Sequence, residues 1–97
     1  MSVYVDNFNA KFGRMTMCHL IADTQTELFE MVDKIGVQRK WVQDYMQPRE
    51  HFDICLSKKK KAIELGAIEI NMRELAEKTA SREHKEDGTT LETNEKV

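Results

Sequence analysis

Leu28, Met31, Val32 and Ile35 recur at i, i+3, i+4 and i+7, the spacing that lines one face of an α-helix. Thr24 followed by Glu27 fits a capping box at its start: the hydroxyl accepts from the Glu27 amide and the carboxylate returns to the Thr24 amide. Lys34 suits the negative end of the dipole and Gly36 the left-handed position that stops the chain, so the pattern predicts a helix over 24–35. Val3-Tyr4-Val5 is a β-prone run stopped by Asp6-Asn7. After Gly13, Met15, Met17 and His19 alternate with Arg14, Thr16 and Cys18, which predicts a half-buried second strand before Leu20-Ile21-Ala22. The gap between these runs is shorter than the dozen or so residues of a parallel crossover, so they are expected to pair antiparallel.

Further along, Val37 to Tyr45 reads as a short strand or turn around Trp41, and Gln47-Pro48-Arg49-Glu50 as a loop. His51-Phe52-Asp53-Ile54 reads as another short strand. Ser57 can cap a second helix running through Leu65, with Gly66 closing it. Ala67-Ile68-Glu69-Ile70 alternates as a strand, and Asn71 with Glu74 imitates a capping box for a last helix along which Leu75, Ala76 and Ala80 align. This order predicts a small α/β domain over 1–80, a three- to four-stranded sheet covered by about three helices, with α+β as the alternative. Residues 81–97 offer only Leu91 and Val97 as apolar groups and are read as a frayed helix end and a disordered polar tail.

The chain has 97 residues and a net charge of -2, so there is one domain with a marginal core that self-association would help, and no bulk attraction to nucleic acid or anionic membrane. No apolar run reaches the ~18 residues of a membrane span and no signal-peptide pattern opens the sequence. Cys18 and Cys55 are too few for a disulfide framework, which makes a reducing cytoplasm the expected location.

The charge is oddly placed at Lys58-Lys59-Lys60-Lys61. Cations on the first turn of a helix oppose its dipole by ~0.3–1 kcal/mol each at exposed sites, unless an anion shares the free amides there. His51 and Asp53 would project from one face of a strand, and a carboxylate beside an imidazole raises its pKa and fixes its tautomer. His19, Asp23 and Asp6 complete the set of candidate acid–base groups; Asp6 ends a strand, where α/β folds place functional carboxylates. Structural roles compete at each position: Asp23 as a helix-terminal acid, Asp6 as a turn residue, Trp41 as core, the lysines as a solvated face. Cys18, Cys55, His19, His51 and His84 match no zinc spacing, and no phosphate loop or nucleophile elbow is present, so spacing assigns no metal ligand, cofactor or catalytic residue.

Four separated blocks carry a resemblance: VYVDN at 3–7, MCHLIADTQTEL at 17–28, IGVQRKWVQ at 35–43 and HFDICLSKKKKAIELGAIEI at 51–70. Together they resemble the small bacterial family DUF4031, frequent in phage and prophage genomes, whose pattern runs V-Y-V-D, H-L-I-A-D-T-x-x-E-L, W-[FV]-Q and H-[YF]-D…S-K-[RK]-x-x-A…G-A. Phe52 and Val42 depart from its commoner tyrosine and phenylalanine, and the last helix and tail lie outside the resemblance. The polar family positions fall here on Asp6, His19, Asp23, Arg39, Trp41, Gln43, His51, Asp53, Ser57 and Lys58, a set rich in groups that line polar pockets. The resemblance brings no established activity.

The leading expectation is a phage-type accessory protein that binds an anionic ligand, a nucleotide or phosphorylated metabolite, rather than an enzyme. Arg39, Ser57, Lys58 and Lys59 would hold the anion, Trp41 would stack on a base, and Gln43, His51 and Asp53 would line the same pocket. The second is a binder of a host enzyme or defence complex. The third is a hydrolase or nuclease in which Asp6, Asp23, His19, His51 and Asp53 hold a divalent cation. DNA binding ranks last, because the lysine run is too local to track phosphates.

Overall fold

The computed structural model describes residues 2–12 and 15–81. Five strands, β1 (Val3–Asp6), β2 (Ala10–Phe12), β3 (Met15–Ala22), β4 (Phe52–Cys55) and β5 (Ile68–Ile70), form one mixed sheet. Three helices accompany them: α1 (Gln25–Ile35), α2 (Leu56–Glu64) and α3 (Met72–Ser81). The architecture is α/β. β1 and β3 pair antiparallel as their spacing requires, although β2 intervenes and forms a hairpin with β3. Met17 pairs with both Ala10 and Cys55, and Leu20 with both Val5 and Phe52. A residue has one partner per edge, so β1 and β2 lie along one edge of β3 and β4 along the other. β5 adds parallel to β1 through the crossover that contains α2.

Strand alternation gives this sheet two unlike faces. Val5, Cys18, Leu20, Ala22, Phe52 and Ile54 point one way and join Leu28, Phe29, Val32 and Ile35 of α1 and Ala62 of α2 in the main core. Tyr4, Ile21 and Ile70 point the other way and pack with Leu75 of α3. α1 and α2 therefore cover one face, while α3 covers only part of the other.

The helix ends explain themselves locally. The Glu27 amide donates to Thr24 Oγ1 at 3.2 Å, but the Glu27 carboxylate takes the Thr24 hydroxyl at 3.0 Å, so the α1 box closes on the side chain. Gly36 ends α1 at φ 85, and its amide bonds Asp33 and Val32. The α3 box is complete, with Asn71 and Glu74 exchanging amide bonds of 3.0 and 2.8 Å. The expected Ser57 cap is corrected: α2 begins one residue after Cys55, and Ser57 sits inside its first turn. Between Val37 and Tyr45 there is a 3-10 turn, Arg39–Trp41, rather than a strand.

That register of α2 also answers the lysine anomaly. Lys58 Nζ lies 3.1 Å from where a Cβ would stand on Gly36, at the negative end of α1. Lys59 is buried, with its ammonium 2.7 Å from Glu69 Oε2 and 3.5 Å from Asn9 Oδ1. One of the four cations, Lys59, thus finds an acid partner within the fold, Lys58 lies beside the end of α1, and Lys60 and Lys61 stay exposed.

The polar tail expected beyond residue 81 lies outside the described residues. Among the described residues, no helix is long and apolar enough to cross a membrane.

The two thiols report on this packing. Burial in the main core pushes Cys18 up to about 12, whereas the hydrogen bond with Ser57 and the Lys58 amide at the start of α2 hold Cys55 below its ordinary value. Iodoacetamide at mildly alkaline pH should therefore alkylate Cys55 in the native protein and reach Cys18 only after denaturant is added. Equal labelling rates, read by mass spectrometry, would contradict the assignment of the core face.

Candidate metal centre

The face that α3 leaves partly open carries a row of polar side chains. β3 and β4 place His19 directly across from Asp53, and the register that pairs Tyr4 with Ile21 and Val5 with Leu20 brings Asp6 beside His19. Asp6 is fully buried. Its Oδ1 accepts the His19 amide at 3.0 Å and the Phe8 amide at 3.4 Å, and its Oδ2 lies 2.5 Å from His19 Nδ1. A buried carboxylate requires such donors, and satisfying it fixes the imidazole: Nδ1 carries the hydrogen and Nε2 is left to face Asp53.

His51 arrives from the loop before β4. Gln43 and His51 exchange backbone bonds of 2.8 and 3.0 Å, which extends the sheet by one bridge. Asp44 and Met46 inside that loop have φ of 54 and 65, a left-handed geometry that costs free energy for residues with a Cβ. The buried Glu50 carboxylate offsets the cost by taking the Met46 amide at 3.0 Å and the Gln25 side chain at 2.7 Å. His51 Nδ1 bonds the Arg49 carbonyl at 2.7 Å, so this ring too is turned with Nε2 toward Asp53.

Asp53 completes the set. Gln43 Nε2 donates to its Oδ2 at 2.7 Å, leaving Oδ1 3.8 Å from His19 Nε2 and 3.6 Å from His51 Nε2. One donor atom from each of His19, His51 and Asp53 falls within 4.8 Å of the other two. Bonds of ~2.0–2.1 Å at tetrahedral angles place ligand atoms about 3.3–3.4 Å apart, so small rotations would close the three onto one ion. Two imidazoles and a carboxylate suit Zn²⁺ or Fe²⁺ rather than Mg²⁺ or Ca²⁺, which favour oxygen. Each ligand is oriented by a further partner: Asp6 for His19, the Arg49 carbonyl for His51, Gln43 for Asp53.

The two histidines of the triad open on a cavity of about 650 Å³. His19 and His51 form one end, Met72, Leu75, Ala76 and Thr79 of α3 one wall, and Gln47, Pro48 and Arg49 another.

Of the residues expected at a site, Asp6, His19, Gln43, His51 and Asp53 come together here. Asp23 does not; it accepts the Ser2 amide at 2.9 Å and the Tyr4 hydroxyl at 3.3 Å beyond the far end of β1. Arg39 forms a fork with Asp33 at 3.1 and 2.7 Å and lies over Phe29, and Trp41 is 63% exposed, with Lys40 over its ring. Neither lines the cavity, and Ser57, Lys58 and Lys59 belong to α2, which packs on the other face. Glu50, Gln25 and Arg49 were not expected at a site; an acid and an amide 25 positions apart carry no local signal of their contact.

The Asp6–His19 contact sets the electrostatics of the metal-free protein. The hydrogen bond to Asp6 raises His19 above its ordinary 6.5 against the opposing effect of burial, helped by the charges of Asp6 and Asp53. Burial acts to raise Asp6, but the bonds from the His19 ring and amide, its charge and the Phe8 amide outweigh it and hold the carboxyl below 3.8. For His19 the folded value lies above the unfolded one, so the pair stabilises the fold fully below about 6.5 and loses that contribution as pH rises through the raised value. An NMR titration of the His19 Hε1 resonance should show this raised value, and Asp6→Asn should return it toward 6.5. An unchanged titration in the variant would contradict the pairing.

Among curated proteins and solved structures, nothing matches the chain. The family model described as Protein of unknown function (DUF4031) matches residues 3–82, which takes in all five strands, the three candidate ligands and all three helices, including α3, which the motif blocks had not reached. The chain belongs to the DUF4031 family.

Proposed function

We propose that this protein is a metal-dependent hydrolase of small molecules, with His19, His51 and Asp53 as ligands to a divalent transition metal. One observation carries the reading: three donors from separate parts of the chain converge within 4.8 Å, each held by a hydrogen bond that leaves a ligand atom facing the other two. Metal-ligating histidines and carboxylates characteristically carry such an outer layer of hydrogen bonds. Three protein ligands leave coordination positions for water and substrate, the arrangement of catalytic rather than structural sites.

Held by His19, His51 and Asp53, such an ion would supply Lewis acidity and an activated water for hydrolysis of an acyl or phosphoryl bond, the hydroxyl of the water going to the acyl or phosphoryl product and its proton to the leaving group. The cavity of about 650 Å³ lies within the roughly 300–1,000 Å³ of small-ligand sites. A nuclease is a weaker reading, since α2 and its lysines cover the opposite face of the sheet and supply no cationic track beside the triad. The leading expectation from sequence, anion binding at the start of α2, gains no support from Lys59, which is buried and paired with Glu69.

Titration calorimetry with Zn²⁺ and with Fe²⁺ under anaerobic conditions should give one ion per chain. His51→Ala and Asp53→Ala should abolish binding, and Asp6→Asn should weaken it by about 10–100-fold. A panel of chromogenic esters and phosphoesters should then show turnover that requires the metal. Metal affinity unaltered by Asp53→Ala would overturn the proposal.

A further inference from the structure

Arg49 is the only permanently charged side chain among the described residues that line the cavity. The other described arginines have acid partners, Arg39 with Asp33 and Arg73 with Glu77, whereas among the described residues no acid pairs with Arg49. Its backbone carbonyl is committed to His51, which ties its position to the triad and leaves the guanidinium for another role. The rest of the lining is largely apolar, Ile21, Met72, Leu75 and Ala76 among it, with Gln47 and Thr79 as its polar members.

Charge counting gives the sign of the missing group. A divalent ion at the triad balances the carboxylates of Asp6 and Asp53. Two further acids lie near the centre and neither lines the cavity: Asp44 is 3.8 Å from His51 Nδ1, and the buried Glu50 carboxylate is taken up by the Met46 amide and the Gln25 side chain. Within the lining itself Arg49 is then a positive charge with no acid among its fellow lining residues, beside a largely apolar space, the complement of an anion with an apolar body. One guanidinium matches one carboxylate through a two-bonded fork; a phosphate dianion would call for a second cation, and the lining provides none.

We infer that the substrate of this centre is a small monocarboxylate, bound with its carboxylate on Arg49, its apolar portion along α3 and its hydrolysable bond at the metal. This rests on the metal-dependent reading above. The anion therefore sits beside the triad, on the face of the sheet opposite the lysine run.

Two probes test it on the Zn²⁺-loaded full chain: suberic acid monohydroxamate, whose hydroxamate chelates the metal and whose far end is a carboxylate, and the same molecule with that carboxylate converted to the amide. Calorimetry should show the acid binding about tenfold tighter than the amide, a gap of about 1.4 kcal/mol. Arg49→Gln should erase the gap while leaving zinc content and amide affinity unchanged, because the Arg49 carbonyl that orients His51 is retained. Equal affinity of the unaltered protein for the two probes, with zinc bound, would overturn the substrate assignment and leave the metal centre standing. Failure to retain zinc, with neither probe bound, would overturn both.

Discussion

A carboxylate taken entirely out of water is the constraint around which this structure is arranged. Asp6 ends a central strand with its side chain fully buried, and desolvating a charge without partners would cost several kcal/mol. The fold supplies two amides and an imidazole. Buried ion pairs roughly break even against well-packed apolar side chains of similar size, so folding alone gives little reason for a carboxylate there. Its consequence is geometric: with Nδ1 of His19 engaged, Nε2 has one direction to face, and Asp53 is the neighbouring strand's residue in that direction.

The division of the sheet into two faces makes this affordable. β1, β3 and β4 each alternate an apolar side chain toward α1 and α2 with a different one toward the other face. The main core can therefore hold the fold while Asp6, His19 and Asp53 occupy positions it does not use. α3 buries Tyr4, Ile21 and Ile70 on the second face, and its wall bounds the cavity. The loop that delivers His51 contains two left-handed residues and depends on Glu50, so the ligand drawn from outside the central sheet has its own internal brace.

Much of the fold was legible because its signals are local. The α1 stripe, its glycine stop, the Asn71–Glu74 box and the short strands all lie within a few residues of their causes. The same holds for His51 and Asp53, two apart on one face. The triad as a unit was not legible: His19 belongs to a hairpin formed early in the chain, and only the β3–β4 register sets it against Asp53. Spacing rules for metal sites find ligands that share a loop or helix, and these do not. The lysine run is read from sequence without the neighbours that only the fold supplies: Glu69 comes to Lys59, and the end of α1 comes near Lys58, once the chain is folded. The cap of α2 falls at Cys55, two residues before the expected Ser57, which places Ser57 inside the first turn.

The most direct measurement of the central claim is X-ray absorption at the metal edge of the Zn²⁺-loaded protein. The account predicts a first shell with two imidazole nitrogens and at least one oxygen at about 2.0–2.2 Å, with the imidazole outer-shell scattering cut to one ring in His19→Ala. A shell of oxygens alone, or a spectrum that His19→Ala leaves unchanged, would contradict it.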